Sequence, residues 1–472
     1  MASAPLWRQA FDVAERAVAP PLESLVRTNQ FARGAALAAK TQSFGRQQVN
    51  GLSARLWHLV NLPAGTDLAR LRSQVGALDR EVRRLTLRLE QDARRATMNA
   101  SVRSQPMPSL PGPSIPSPQN VLDRVRRDVE RNTLRARNGI KLAAGTDRPP
   151  IGHTPKDVVW RSGRTELWHY RNDDVRLYPP VLIVFSLVSR SYILDLTPGN
   201  SFVERLLESG FDVYLLDWGV PDERDADNRL EDYVDDYIPA GIARVLELSG
   251  SDEVNLLGYC FGGNLALLHA AHHLDSPLRS LTVMATPVDF QQMGPLVDAF
   301  VTGGLDVDTV LDADGNVPPQ IILQGFRTLT PTSEVKRYVD LWEKLWNDDY
   351  VFAYQAMTGW SGDHVPFPGA AARDSVQMLV QDNGMVTDRL TVGGDPVHLQ
   401  DIHIPFLTVL AERDHIVPER STAPLIDLVG SPDKHELRLA AGHIGLVVGK
   451  TAAKTTVPKI IDFLRRRSEE TA

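Results

Sequence analysis

The chain has one cysteine, Cys260, in 472 residues. A single thiol excludes an intramolecular disulfide framework and any cysteine-rich metal site, and it fits a reducing compartment. No stretch approaches the roughly 18 uncharged apolar residues that span a bilayer, and no basic segment leads into an apolar core near Met1. The expectation is a cytoplasmic protein with no transmembrane segment. No segment carries a nucleic-acid-binding motif either, so no nucleic acid is expected as a partner.

What is present is a core-forming composition, 43% hydrophobic, over a length that suggests more than one domain. The net charge of -8 is unevenly spread: Lys and Arg outnumber Asp and Glu through Arg148 and are outnumbered beyond it. The basic part reads either as a solvated helical arm or as a surface for an acidic partner. Residues 1–102 read as helical, and within them Leu68, Leu71, Val75, Leu78, Val82, Leu85 and Leu89 recur three and four apart. That seam needs an apolar partner, either another helix of the same chain or, the favoured reading, a second copy in a coiled coil, which predicts a homo-oligomer. Six prolines between 106 and 118 remove backbone donors, so 103–120 reads as an extended linker before a catalytic domain at 121–472.

In that domain a short basic helix is expected at 121–139. The stretches 181–185, 212–216, 253–257, 281–284, 406–411 and 436–439 read as parallel-sheet strands, with helical patterns such as 201–209 and 262–272 between them. The alternation predicts a doubly wound α/β domain. It fails over about 287–404, an aromatic-rich interval too long for a plain loop, which reads as a largely helical inserted cap. Its aromatics suit an acyl channel or a small hydrophobic core equally well.

A free cysteine usually just packs. Cys260, however, stands in Gly258-Tyr259-Cys260-Phe261-Gly262-Gly263 directly after a strand pattern, where glycines relieve the crowding of a sharp strand-to-helix turn. His443, between Gly442 and Ile444-Gly445 past the last strand, is the candidate base. Asp414, after the preceding strand, is the candidate acid, with Glu412 in reserve. The order nucleophile, acid, base along the chain is that of the α/β-hydrolase fold. Oxyanion stabilisation there calls for the backbone N–H of Phe261 and one near Val188 or Ser189. His415 and Ser189 are possible supporting residues, and no metal is expected at the site.

These motifs, with Leu187-Val188-Ser189-Arg190-Ser191-Tyr192-Ile193-Leu194-Asp195-Leu196, Leu215-Leu216-Asp217-Trp218-Gly219, Asp414-His415-Ile416-Val417-Pro418 and Thr154-Pro155-Lys156-Asp157-Val158-Val159, resemble a polyhydroxyalkanoate synthase, particularly the class III catalytic subunit. The resemblance covers roughly residues 135–472. It implies polymerisation of (R)-3-hydroxyacyl-coenzyme A through an acyl group on Cys260, with His443 activating the thiol and Asp414 orienting the histidine or helping to activate the incoming 3-hydroxyl. It implies no cofactor beyond the thioester substrate, and a location at the surface of polyester granules. Leu62-Pro63 and the seam after it resemble the separate helical subunit of class III enzymes. The family often has Asn at the position of Ser189, and the Trp-rich cap follows no family version residue by residue. Two rival readings remain: a cysteine hydrolase, since dienelactone hydrolases carry a similar Gly-Tyr-Cys-x-Gly-Gly, and a non-catalytic granule scaffold.

Overall fold

The computed structural model describes residues 118–146, 149–301, 305–329 and 333–470. Residues 1–102, expected to be helical with a coiled-coil seam, and the expected linker up to 117 lie outside the described residues. The expected basic helix is α1, Pro118–Ala144, longer at both ends than the sequence pattern suggested. It begins inside the proposed linker because Pro118 stands at the helix start, where a missing N–H costs nothing. Further along α1, Asn138 donates to the carbonyl of Leu345 at 2.8 Å, and Arg131 stacks 4.5 Å over Trp346.

Eight strands form the main sheet: β1 Lys156–Ser162, β2 Thr165–Tyr170, β3 Leu177–Val184, β4 Phe211–Asp217, β5 Val254–Tyr259, β6 Leu278–Met284, β7 Phe406–Ala411 and β8 Lys434–Leu439. Their spatial order is β1-β2-β4-β3-β5-β6-β7-β8, and a short strand β9, Glu469–Glu470, pairs with the start of β3. From β4 to β8 all neighbours are parallel, while β2 runs antiparallel to both β1 and β4. This is the α/β-hydrolase fold.

Period-two alternation divides the strands between two cores. Leu182, Val184, Tyr214 and Leu216 face the side covered by α3, Ile238–Ser249, and α4, Phe261–His272. Val181, Ile183, Val213 and Leu215 face the side covered by α2, Phe202–Glu208, and α8, Val457–Arg465. Central parallel strands are covered on both faces, which is why they read as unbroken apolar runs.

Among the described residues the interval 287–404 carries several helices, of which the three longest are α5 Pro319–Leu329, α6 Ser333–Lys344 and α7 Asp348–Ser361. Its second half behaves differently. Ala371, Leu379, Met385, Leu390 and Ile402 are buried in the same core as α4, so this stretch belongs to the body rather than to a cap. The cap-like helices are tied to the body by Trp360, whose indole donates to the carbonyl of Arg190 at 2.8 Å.

Candidate active site

Cys260 sits at the turn between β5 and α4 with φ of 56°, a left-handed conformation that a non-glycine residue adopts only under strain of about 1–3 kcal/mol. The surroundings hold it there. Its amide donates to the carbonyl of Met284 on β6 at 2.9 Å, and its own carbonyl accepts from Gly263 at 2.9 Å. A Cβ on Gly262 would stand 2.2 Å from the carbonyl oxygen of Val184, and one on Gly258 would stand 2.5 Å from the Cα of Gly263. The motif glycines are therefore required by backbone contact, and the turn aims the partly exposed sulfur into a cavity.

The other two residues arrive from the carboxyl ends of β7 and β8. Asp414 Oδ1 accepts from the amides of Ile416 and Val417, both at 2.8 Å, which leaves Oδ2 for His443 Nδ1 at 2.7 Å. Both side chains are buried. With Nδ1 engaged by the carboxylate, Nε2 is the nitrogen left for the sulfur. Tyr259 donates to the carbonyl of His443 at 3.2 Å and packs against its ring at 5.2 Å, fixing the loop from below. Burial works against protonation of His443. The charges of Asp414 and Cys260 and their hydrogen bonds to the ring outweigh it, and the pKa is pushed up to about 10. Glu412 is exposed, and its amide bonds to the carbonyl of Leu439, so it takes no part in this chain of contacts.

A cavity of about 450 Å³ opens over the sulfur. Val188, Ser189 and His415 line it as well as Cys260 and His443. Phe261 opens α4, so its N–H has no partner within the helix and lies at the positive end of the helix dipole. The second expected oxyanion donor fits less well. The amide of Val188 is directed at Ser186 Oγ, at a long 3.5 Å, because the loop after β3 folds back on that hydroxyl. His364 holds the other side of the same residue, donating from Nδ1 to the carbonyl of Val188 at 3.2 Å.

Trp360, one of the aromatics of the inserted interval, lines the cavity from above the sheet, and so do His364, Arg327 and Arg337, which no motif marked. Burial, opposed by its hydrogen bond to Val188, lowers the pKa of His364, so this ring is neutral near neutral pH. The only sequence signal for these residues was the density of aromatics and charge in an interval that resisted strand and helix alternation.

The chain has known relatives. Residues 179–450 match the alpha/beta hydrolase fold family, and residues 119–206 match the N-terminus of poly-beta-hydroxybutyrate polymerase (PhaC). The chain is similar to poly(3-hydroxyalkanoate) polymerase subunit PhaC of Allochromatium vinosum, 34% identical over 73% of this chain and 98% of that one. It is likewise similar to the subunit of the same name from Haloferax mediterranei, 35% identical over 68% of this chain and 65% of that one, so it spans just under two thirds of the latter's length. Among solved structures it is similar to a thermophilic esterase from Thermogutta terrifontis, 16% identical with a TM-score of 0.42, over 67% of this chain and 99% of that one.

Proposed function

Since this chain belongs to the poly(3-hydroxyalkanoate) polymerase PhaC family, we propose that it polymerises (R)-3-hydroxyacyl-coenzyme A by covalent catalysis on Cys260, with His443 as base and Asp414 as its positioning acid. The observation that carries the reading is the Asp414–His443 contact at the floor of the cavity that Cys260 enters.

The Cys260 sulfur attacks the thioester carbonyl while its proton is held by His443. A carbon–sulfur bond forms, and the carbonyl electrons collect on an oxygen facing the start of α4, where the Phe261 N–H and the helix dipole stabilise them. Collapse expels the coenzyme A sulfur, which takes the proton from the imidazolium. Thiol and thioester exchange at similar energy, so the acyl group stays reactive on the enzyme. His443 then removes the proton of a 3-hydroxyl, that oxygen attacks the Cys260 thioester, an ester bond forms and the sulfur is released for the next cycle.

The scheme uses no cofactor beyond the substrate. Coenzyme A is an anion, and Arg327, Arg337 and Arg413 line the cavity of an otherwise acidic chain, so we assign its phosphates to that side. The growing polyester, a granule surface in the cytoplasm and self-association through the seam at 68–89 complete the proposal.

The test is incubation of purified protein with 3-hydroxybutyryl-coenzyme A, following free thiol and turbidity. Coenzyme A release with polymer supports the reading. Release of soluble 3-hydroxy acids alone would make the chain a hydrolase, and no release across several acyl lengths would leave it a scaffold.

A further inference from the structure

Helix α4 carries chemistry at both ends. Cys260 caps its start, and about 18 Å away, at a rise of 1.5 Å per residue, it ends on His272 followed by His273. Facing these two imidazoles is Asp235, on the π-helical turn Asp232–Tyr237 that leads into α3. Asp235 Oδ1 lies 2.9 Å from His273 Nε2 and 3.5 Å from His272 Nε2. Asp235, His272 and His273 are the one such group of potential metal ligands among the described residues, with one donor atom from each within 4.8 Å of the others.

We propose that Asp235, His272 and His273 form a binding site for a divalent transition ion of the zinc class. Two imidazoles and one carboxylate are a donor set for such an ion, which binds nitrogen at 2.0–2.1 Å and so needs neighbouring donors roughly 3.3 Å apart. The two nitrogen-to-oxygen separations bracket that value. A modest rotation of either partly exposed ring completes the shell, and water takes the fourth place.

The surroundings suit a cation. Glu231, Asp232 and Asp236 lie within four residues of Asp235. Among the described residues another imidazole, His269, packs 4.9 Å from His273. His269 donates to the Val234 carbonyl at 3.1 Å and bonds Ser276 Oγ at 2.9 Å, so both ring nitrogens are engaged by the π-helical turn and by the loop after α4 rather than by a metal. Glycines 393 and 394, with only open space or Asp235 Oδ2 beside them, leave an approach from solvent. A π-helical turn, rare in general and frequent at functional sites, is what brings the carboxylate to the end of α4. The ion would staple α3 to the helix that presents Cys260 without touching the reaction.

The test is titration of the untagged full-length protein with Co²⁺ and with Zn²⁺ after chelator treatment. It reads visible absorption, stoichiometry and melting temperature, on the unaltered chain and on a Cys260→Ser chain that keeps the active-site thiol from taking the metal. The expected result is one equivalent bound in both, a tetrahedral cobalt spectrum without thiolate charge transfer in Cys260→Ser, and a raised melting temperature. Asp235→Asn and the His272→Gln, His273→Gln pair should each lose the spectrum. Absence of stoichiometric binding in the unaltered chain, or binding that disappears with Cys260→Ser, would overturn the proposal. Binding that survives all the cluster substitutions would do the same.

Discussion

The carboxylate of Asp414 meets His443 Nδ1 at 2.7 Å with its other oxygen already bound to two backbone amides, so it cannot swing away from the ring. One carboxylate thus fixes both the position and the tautomer of the imidazole. Replacing Asp414 by Asn should keep the fold but offer the ring an amide that supports the wrong tautomer. The expected loss in the rate of coenzyme A release is on the order of 10²- to 10⁴-fold, read under saturating substrate, with little change in melting temperature.

The same contact sets a pH dependence. The pKa of His443 is raised to about 10 from an ordinary 6.5, so its proton is bound more tightly in the folded chain than in the unfolded one. The stabilisation this gives is fully present below pH 6.5 and is lost as pH rises through about 10. Denaturant unfolding at pH 7, 9 and 10.5 should show stability falling over that range. His443→Gln should remove this component of the fall.

Close packing at the turn separates one glycine from another. Gly262→Ala drives a methyl group to 2.2 Å from the Val184 carbonyl and should cost about 3 kcal/mol or more, seen as a large fall in melting temperature or failure to fold. Gly359, within α7, has nothing within 4 Å of its missing Cβ. Gly359→Ala should stabilise by about 0.5–1 kcal/mol, because alanine loses less backbone freedom on entering a helix.

If the arginines of the cavity receive the phosphates of coenzyme A, replacing Arg327 and Arg337 together by Gln should raise KM for the thioester by about ten- to a hundredfold, in line with the roughly 1.5–3 kcal/mol of a charged hydrogen bond, and lower kcat less. A short thioester without the nucleotide should lose nothing. An equal effect on both substrates would show that the arginines support the cap and not the anion.

Much of the site was legible because its chemistry sits where backbone rules are strict. The turn at Cys260 needs glycines at defined offsets, Asp414 follows the apolar run of β7, and His443 stands between glycines past the last parallel strand, β8. The hairpin β1–β2 escaped because β1 is a half-exposed edge strand with an irregular register between Val158 and Trp160, and so carries no clean alternation. His364 escaped for another reason, and so did the position of Trp360 in the cavity wall. Both residues reach the cavity through tertiary packing onto Val188 and Arg190, contacts across more than 160 residues that no local pattern records. The direction of the Val188 amide is a property of one peptide plane, which side-chain identity does not encode. The end of the inserted interval was misjudged as well. Residues such as Leu379 and Leu390 are apolar in short, irregular elements, and only the packing shows that they complete the core under α4.

The most direct test of the central claim is the mass of the Cys260 peptide after brief exposure of the purified protein to 3-hydroxybutyryl-coenzyme A and acid quench. The expected result is a hydroxybutyryl or oligomeric adduct on Cys260 that forms in the unaltered chain and more slowly in Asp414→Asn. An unmodified Cys260 peptide while coenzyme A is being released, or an adduct on any other residue, would contradict the account.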